Sequence, residues 1–354
     1  MELFQRPFGL RPNKVSYLIP GGEMINGFLG LAKKQEPIAS QLWIASVVQS
    51  VLEGAPDSRS YLLPEDGGAC LKELLETNPI GYLGEDHVRA YGADPAVLVK
   101  LLHSTDRLLV QVHPDREKAR RYFGSPFGKT EAWYVLDTDG EAFAWAGFVP
   151  GVTREGFRAL MEAQDAAGVL ACLHQFSLQK GDVLMIPAGL PHALGGNSLV
   201  AEIQEPTDIT LRAERVRPDG SVLPESALHS GIGMEGLLDC FDFTGLSKKE
   251  AKGRIFQKGK ALGGEGTGAV MEWIGPAQTP YFSMTKIACE GEVLRQNAAF
   301  TVGLVTAGQG MLTGNGYGLP IRKGMEFFVP NEVREYIYEG ACLELLEFRG
   351  PEPG

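Results

Sequence analysis

Residues 107–135 read RLLVQVHPDREKARRYFGSPFGKTEAWYV. The segment begins with a short apolar run at residues 108–110 and continues with Gln111, Val112 and His113. Successive side chains of a β-strand point to opposite faces, so Gln111 and His113 share one face while Val112 points to the other. An amide and an imidazole on one face, at the end of an apolar strand, predict the beginning of a polar pocket.

Two further residues of metal-ligand type follow this pair. Glu131 lies eighteen residues after His113 and opens a second strand-like run at residues 132–136. His192 lies in the segment GLPHAL at residues 189–194. Two strands joined by a loop can bring His113 and Glu131 together, and two imidazoles with one carboxylate are a common catalytic zinc set with one position open to substrate. We therefore predict a metal site in a β-barrel.

The composition is that of a globular protein with two or three domains. The chain has 354 residues, of which 44% are hydrophobic and 22% are charged, and this length exceeds one ordinary core. The 45 glycines and 22 prolines favour many turns and hence a strand-rich fold. The net charge of −11 repels nucleic-acid phosphate on average, so we expect no nucleic-acid partner.

The cysteines and the apolar runs bear on cellular location. Five widely spaced cysteines without a CxxC motif indicate neither a disulfide framework nor a thiolate zinc site. The N-terminal segment MELFQRPFGLRPNK lacks the apolar core of a signal peptide. No run of 18 apolar residues occurs in the sequence, so we expect no membrane span. These features predict a cytoplasmic protein.

The chain reads as two β-rich halves with a helical connection. Residues 97–102 are a strand candidate, residues 225–262 look helical, and short strands resume from about 279 to 348. Helix N-caps are predicted at Asp115, Thr153 and Ser247, the last with capping-box spacing to Glu250. Five of the six histidines precede residue 200, and the C-terminal β region has none. We therefore expect metal ligands only in the first half.

Several motifs together are similar to those of one enzyme family. They are DRLLVQVHPD at 106–115, GKTEAWY at 128–134, EIQ at 202–204, and a segment at 181–194 that fits the cupin pattern G-x5-P-x-G-x2-H. In this order and spacing they resemble the type I mannose-6-phosphate isomerases, zinc enzymes of the cupin fold. The resemblance covers the middle third of the chain strongly and its ends weakly.

The resemblance implies a fold and a division into domains. It implies a mainly β protein with two cupin-like β-barrel (jelly-roll) domains and a helical segment. We expect a metal-binding cupin domain with N-terminal and helical additions at residues 1–215 and a helical connection at 216–278. A C-terminal cupin-like β domain without metal ligands is expected at 279–354.

The resemblance also implies a site and an activity. The family's metal ligands fall at the positions of Gln111, His113, Glu131 and His192. The implied cofactor is Zn²⁺, and the implied partner is a small sugar or sugar phosphate. The implied reaction is aldose–ketose isomerisation, from mannose 6-phosphate to fructose 6-phosphate through a cis-enediol.

Three further residues match family positions near the substrate. Glu202 is the first candidate for the base that moves a proton between C1 and C2. Arg212 is expected to stabilise the enediolate, because its guanidinium is charged at every working pH. Lys129 is expected to bind a phosphate or a hydroxyl. The residue types alone leave each of them open to a structural role as an ion-pair partner or a solvated side chain.

The sequence departs from the family pattern at four places. Leu109 stands where the family usually has a serine associated with phosphate contact, and residues 211–215 keep only the arginine of the family's Tyr-Arg-x-Tyr-Asp. Residues 19–22 and 41–43 replace its Trp-Gly-Gly and Glu-x-Trp. Two alternatives therefore stay open: a related zinc isomerase for another sugar or sugar phosphate, and a sugar-binding cupin without turnover.

Overall fold

Strands make up more of the structure than helices. The computed structural model describes residues 1–15, 19–36, 38–50, 57–263, 266–314 and 316–352, and the fold is 36% strand and 22% helix. The prediction of a mainly β protein is confirmed. The chain forms two units: the first contains Met1–Tyr17, Gly22–Leu101 and Lys258–Gly354, and the second contains Leu18–Gly21 and Leu102–Gln257.

Short elements make up the N-terminal part of the first unit. Helix α2 (Leu71–Thr77) ends before Asn78 because a residue that precedes proline disfavours the helical conformation. The Asn78 side chain instead accepts a hydrogen bond from the Gly81 N–H and caps helix α3. The elements, with two 3-10 turns at Leu3–Gln5 and Pro64–Asp66, are β1 (Phe8–Leu10), β2 (Lys14–Val15), α1 (Glu23–Phe28), β3 (Gln41–Ile44), α2 (Leu71–Thr77), α3 (Pro79–Leu83), α4 (Glu85–Tyr91) and β4 (Leu98–Ser104), whose end belongs to the second unit.

The second unit alternates strands with short helices. Its helix starts follow the predicted caps: Asp115 and Thr153 accept backbone N–H groups, and Ser247 forms a complete capping box with Glu250. Its elements are β5 (Gln111–Val112), α5 (Arg116–Phe123), β6 (Glu131–Thr138), β7 (Phe143–Phe148), α6 (Arg154–Ala163), α7 (Ala166–Ala171), β8 (Leu173–Ser177), β9 (Val183–Ile186), β10 (His192–Leu194), β11 (Ser198–Gln204), β12 (Leu211–Arg212), α8 (Ser226–His229), α9 (Gly233–Asp239) and α10 (Lys248–Ile255).

The strands of the second unit form two antiparallel groups. One group has the order β12-β5-β10-β7-β8, and the other has the order β11-β6-β9. Apolar side chains bury themselves in two cores, one around Phe148 and Phe157 and one around Trp133, Val200 and Ile255. The second core includes Trp133, which lies two residues after Glu131 on the same face of β6.

Strand β5 is shorter than predicted. The apolar run at residues 108–110 lies outside the strand, which contains only Gln111 and Val112. The Val110 N–H donates to the Glu214 carboxylate at 2.6 Å instead of to a neighbouring strand. Residues 108–110 therefore precede the strand, and the Glu214 side chain holds them in place.

The first unit ends in a large antiparallel sheet, which we call the C-terminal sheet. Its strand order is β1-β19-β16-β20-β15-β14-β13, with β17 paired to β20 and β18 paired to β17. A core around Phe327, Tyr338 and Leu345 covers one face, which we call its inner face. Its last eight strands are β13 (Lys260–Leu262), β14 (Gly266–Ile274), β15 (Ser283–Gln296), β16 (Thr301–Ala307), β17 (Gln309–Gly314), β18 (Tyr317–Arg322), β19 (Glu326–Val329) and β20 (Glu335–Arg349).

The structure differs from two predictions, one about a helical segment and one about the closure of the sheets. The helical prediction for residues 225–262 is wrong at its end, because Lys260–Leu262 pairs with β14 as a strand. The hydrogen-bonded order of each sheet has two free ends among the described residues, so the sheets are open and the prediction of two barrels is not confirmed.

The division into three domains stays a prediction. Near the N-terminus, β1 pairs with β19, so Phe8–Leu10 completes the C-terminal sheet.

Within the described ranges, no helix has the length and apolarity that a membrane crossing requires.

Candidate metal centre

Neighbouring strands of one sheet position three of the predicted site residues. His192 begins β10 and is the direct partner of Gln111 in β5. On the other side of β5, Gln111 is the direct partner of Arg212 in β12. Directly opposed residues in an antiparallel pair have their side chains on the same face. Gln111, His192 and Arg212 therefore project from one face of this sheet.

A close backbone approach brings the second motif to the first. Gly128 lies where a Cβ atom would be 2.8 Å from the Pro114 carbonyl oxygen and 2.9 Å from the Arg116 nitrogen. The Lys129 N–H then donates to the Pro114 carbonyl at 3.0 Å. Only glycine permits this contact without a shift of the backbone, and it places Lys129 and Glu131 beside His113.

The three candidate ligands converge at full burial. His113 Nε2 lies 3.3 Å from Glu131 Oε2, and His192 Nε2 lies 3.3 Å from Glu131 Oε1. One ligand atom from each of the three residues falls within 4.8 Å of the others. We call His113, Glu131 and His192 the metal triad. Its atoms are close enough for a single ion to contact all three.

Hydrogen bonds to the backbone assign the imidazole tautomers. His113 Nδ1 donates to the Ile209 carbonyl at 2.9 Å, and His192 Nδ1 donates to the Leu190 carbonyl at 2.8 Å. The proton on Nδ1 leaves a lone pair on each Nε2, and both Nε2 atoms face Glu131. Backbone acceptors of this kind orient metal-binding histidines, so the donor set fits Zn²⁺.

Charges around the triad favour the protonation states that a metal needs. Burial, followed by the nearby Lys129 ammonium, lowers the pKa of His113 to about 3, so this imidazole is neutral at pH 7. Burial opposes ionisation of Glu131, but Lys129 and His113 hold the pKa of its carboxyl well below the usual range. Metal ions bind neutral imidazole and ionised carboxylate.

Lys129 is part of the same buried cluster. Its side chain is 5% exposed, and its Nζ lies 3.2 Å from His113 Nε2 and 3.4 Å from Glu131 Oε2. An ammonium so close to the triad can donate hydrogen bonds to any ligand held there. The structure thus brings Lys129 together with the triad.

Gln111 and Trp133 flank the triad. The Gln111 Nε2 group donates to His192 Nε2 at 3.2 Å, and rotation of the terminal amide presents Oε1 at the same place. Trp133 Nε1 donates to Glu131 Oε1 at 3.1 Å, which orients the carboxylate. The orienting role of Trp133 was missed, although its spacing of two from Glu131 already placed both side chains on one face.

Glu202 shares a face with Glu131. Glu202 of β11 is the direct partner of Trp133, and Gln204 is the direct partner of Glu131. The side chains of all four therefore lie on one face of this group of strands. Glu202 is 5% exposed.

Backbone carbonyls anchor the Arg212 side chain. Its Nη1 donates to the Thr210 carbonyl at 3.2 Å and to the Ala227 carbonyl at 3.1 Å. The residue is half-buried and stands beside Gln111 in the sheet. The structure places it next to a candidate ligand on the same face as His192.

Two buried carboxylates outside the triad were missed from the sequence. Glu205 accepts from Arg116 Nε at 2.6 Å and from the Thr130 N–H at 3.1 Å, so it ties helix α5 to the start of β6. Glu214 binds the guanidinium of Arg107 at 2.7 and 2.8 Å, in addition to the Val110 N–H. For Glu214 the available signal was the departure from the family pattern at residues 211–215.

Known proteins are similar to this chain in sequence and in fold. The family described as mannose-6-phosphate isomerase, cupin domain, matches residues 276–345. A probable mannose-6-phosphate isomerase of Bacillus subtilis strain 168 is 29% identical over 266 residues, which are 73% of this chain and 78% of that protein. The chain is therefore similar in sequence to mannose-6-phosphate isomerases. The family resemblance drawn from the motifs is confirmed.

Solved structures of mannose 6-phosphate isomerases share the fold over nearly the whole chain. The mannose 6-phosphate isomerase of Bacillus subtilis is 22% identical, with a TM-score of 0.76 over 97% of this chain and 99% of that one. A mannose 6-phosphate isomerase solved in a holo form with zinc bound is 14% identical, with a TM-score of 0.76 over 98% of this chain and 100% of that one. At these identities the likeness establishes the fold.

Proposed function

We propose that this protein is a zinc-dependent aldose–ketose isomerase that interconverts mannose 6-phosphate and fructose 6-phosphate. The observation that carries the proposal is the buried triad of two imidazoles and one carboxylate, with the Lys129 ammonium within 3.4 Å. Similarity to mannose-6-phosphate isomerases supports the choice of substrate. As part of the same proposal, each unit contains one cupin-like domain, and the second unit holds the metal.

The metal ligands of this proposal are Gln111, His113, Glu131 and His192. The Gln111 amide supplies its oxygen after rotation, and the backbone carbonyls that fix both imidazole tautomers keep the nitrogen lone pairs directed inward. Zinc bound there supplies Lewis-acid stabilisation of negative charge on the sugar oxygens.

The protein's own residues move the proton. Glu202 removes the proton from C2 of the aldose as a general base and returns it to C1, while a hydroxyl proton passes from O2 to O1 through the cis-enediol. Its location on the face of Glu131, at 5% exposure, supports this role. Arg212, one residue across the sheet from Gln111, stabilises the enediolate with its permanent positive charge.

Lys129 binds a hydroxyl at the reacting end of the sugar. Its Nζ lies within 3.4 Å of two triad residues, whereas the phosphate of a hexose 6-phosphate is carried at the far end of the carbon chain. A buried ammonium at this place reaches the oxygens on C1 and C2. This geometry favours the hydroxyl among the two roles expected for Lys129.

A related isomerase for another sugar is the second candidate. Leu109 replaces the family serine associated with phosphate contact, and it is buried at 8% exposure. A buried leucine cannot donate the hydrogen bond that a serine hydroxyl offers. This residue favours a substrate whose phosphate is bound differently or is missing.

A substrate panel tests the proposal. The zinc-loaded protein is incubated in D₂O with mannose 6-phosphate, unphosphorylated mannose and several other aldose phosphates, and products are followed by proton NMR. The proposal expects fructose 6-phosphate from mannose 6-phosphate at a kcat/KM at least about 100-fold above that for mannose. Turnover of another sugar alone supports the second candidate, and sugar binding without any interconversion overturns both.

A further inference from the structure

A second cluster of buried charges lies on the inner face of the C-terminal sheet. Glu347 of β20 has a side chain that is 1% exposed. Arg295 of β15 donates to its carboxylate from Nε at 3.1 Å and from Nη2 at 2.6 Å. The hydroxyls of Tyr336 and Tyr338 donate to the same carboxylate at 2.7 and 3.1 Å. Glu347 is therefore fully paired by one arginine and two phenols.

A second guanidinium adjoins this paired carboxylate. Arg349 Nη2 lies 3.8 Å from Glu347 Oε2, which is beyond hydrogen-bond distance. Arg349 Nε donates to Thr301 Oγ1 at 3.1 Å, and Nη2 donates to the Gln296 carbonyl at 3.2 Å. The side chain is 17% exposed, so solvent still reaches it.

The cluster contains two positive charges, those of Arg295 and Arg349, and one negative charge, that of Glu347. In the part of the chain that the structure describes, Glu347 is the one carboxylate within 4.0 Å of either guanidinium. Arginine stays charged at any working pH, so Arg295 balances Glu347 and the charge of Arg349 is surplus. A largely buried charge is costly without a partner of opposite sign.

Hydroxyl groups line the sheet beside Arg349. In the pairing of β15 with β20, Ser283 is directly opposite Arg349 and Thr285 is directly opposite Glu347. Opposed and alternate residues share a face, so both hydroxyl side chains lie on the side of the cluster. Thr301 adds a hydroxyl in contact with Arg349. A guanidinium with adjacent hydroxyls matches the oxygens of a phosphate or a carboxylate.

We propose that Arg349, with the hydroxyls of Ser283 and Thr301, binds a small oxyanion on the inner face of the C-terminal sheet. The ligand class is a phosphoryl or carboxylate group, whether free or attached to a small metabolite. None of these residues belongs to the metal centre, so the site is a second binding site of the protein. It stands independently of the isomerase activity proposed above.

Calorimetric titration of the zinc-loaded full chain with inorganic phosphate, and separately with acetate, tests this site. The matched pair of variants is Arg349→Met and Arg322→Met, which remove the same charge from the site and from the exposed surface of β18. We expect the wild type and Arg322→Met to bind one more phosphate per chain than Arg349→Met, whose affinity at the site falls at least about ten-fold. Binding at the metal centre is common to all three proteins and cancels in this difference.

Equal phosphate and acetate binding by the wild type and Arg349→Met would overturn the proposal and leave the cluster as a structural ion pair only. A preference for phosphate over acetate identifies the phosphoryl class, and the reverse identifies the carboxylate class. Should Arg349→Met fail to fold, Ser283→Ala makes the same comparison with a milder change. We expect it to weaken the same oxyanion several-fold, and an unchanged affinity would contradict the site. Isomerase turnover is measured on the same samples, so that a failure of oxyanion binding can be told apart from a failure of the proposed isomerase activity.

Discussion

The metal triad and the Glu347 cluster both bury charged groups, but their balance of hydrogen-bond donors and acceptors is opposite. In the triad, two imidazole lone pairs and a carboxylate face one another. In the cluster around Glu347, two guanidiniums and two phenol hydroxyls surround a single carboxylate. Because a buried site is stabilised by what balances it, the first calls for a cation and the second for an anion. The surplus of acceptor lone pairs in the triad and of hydrogen-bond donors in the Glu347 cluster, more than the number of charges, indicates the kind of ligand.

Removal of one ligand nitrogen from the triad has the largest expected effect on bound zinc and on turnover. His113→Ala takes away a ligand nitrogen that His192 and Glu131 cannot replace, so we expect bound zinc to fall from about one per chain to nearly none, and kcat/KM to fall by at least about 10⁴-fold. Metal analysis after gel filtration and a coupled isomerase assay measure both. His229→Ala, which changes a histidine of helix α8 outside the triad, should keep zinc and turnover. Full zinc occupancy in His113→Ala would contradict the ligand assignment.

Removal of the proposed base should separate proton transfer from metal binding. Glu202→Gln keeps the size and the hydrogen-bonding ability of the side chain but cannot accept the proton, so kcat is expected to fall by about 10²–10⁴-fold with zinc unchanged. Steady-state kinetics and metal analysis of the same sample measure this. The control is Glu155→Gln on the exposed side of helix α6. Wild-type kcat in Glu202→Gln would exclude it as the base.

Removal of the Glu347 carboxylate from the second cluster should affect stability instead of turnover. Glu347→Gln leaves the Arg295 guanidinium buried without its charge partner, so we expect the free energy of unfolding to fall by about 3–5 kcal/mol. Urea denaturation of metal-loaded protein measures this. Glu335→Gln at the exposed start of the same strand serves as the comparison, with an expected change within about 0.5 kcal/mol. Similar stabilities for the two variants would refute the proposed importance of this ion pair.

The same ion pair predicts a smaller, pH-dependent effect. Burial opposes ionisation of Glu347, but Arg295 and Arg349 hold the pKa of its carboxyl below the usual value. Above the unfolded-state pKa of about 4.3 the contribution of this group is fully present, and it is lost as the pH falls through the depressed native pKa. Between pH 5 and pH 3 the wild type should therefore lose about 1 kcal/mol more unfolding free energy than Glu347→Gln. Parallel losses in the two proteins would contradict this.

Local rules predicted much of the site from the sequence. Strand alternation placed Gln111 and His113 on one face, and the order of the motifs predicted that Glu131 and His192 would join them. The helix caps at Asp115 and Ser247 also follow from chemistry within four residues of each helix start. These features depend on neighbours along the chain, so the sequence is sufficient for them.

Contacts between distant segments could not be predicted in the same way. Glu214 holds Val110 across about a hundred residues, and strand β5 begins later than the apolar run indicates. Similarly, β1 pairs with β19 across more than 300 residues, which no local pattern specifies. The surplus charge of Arg349 depends on which carboxylate lies near it, and only the fold determines that.

The most direct test of the proposed metal centre is the zinc dependence of isomerisation. Wild-type protein is stripped of metal with a chelator, assayed with mannose 6-phosphate, and assayed again after one equivalent of zinc is restored. We expect formation of fructose 6-phosphate to disappear when the metal is removed and to return when zinc is restored. Equal turnover by the stripped and the restored protein would contradict a metal centre at His113, Glu131 and His192.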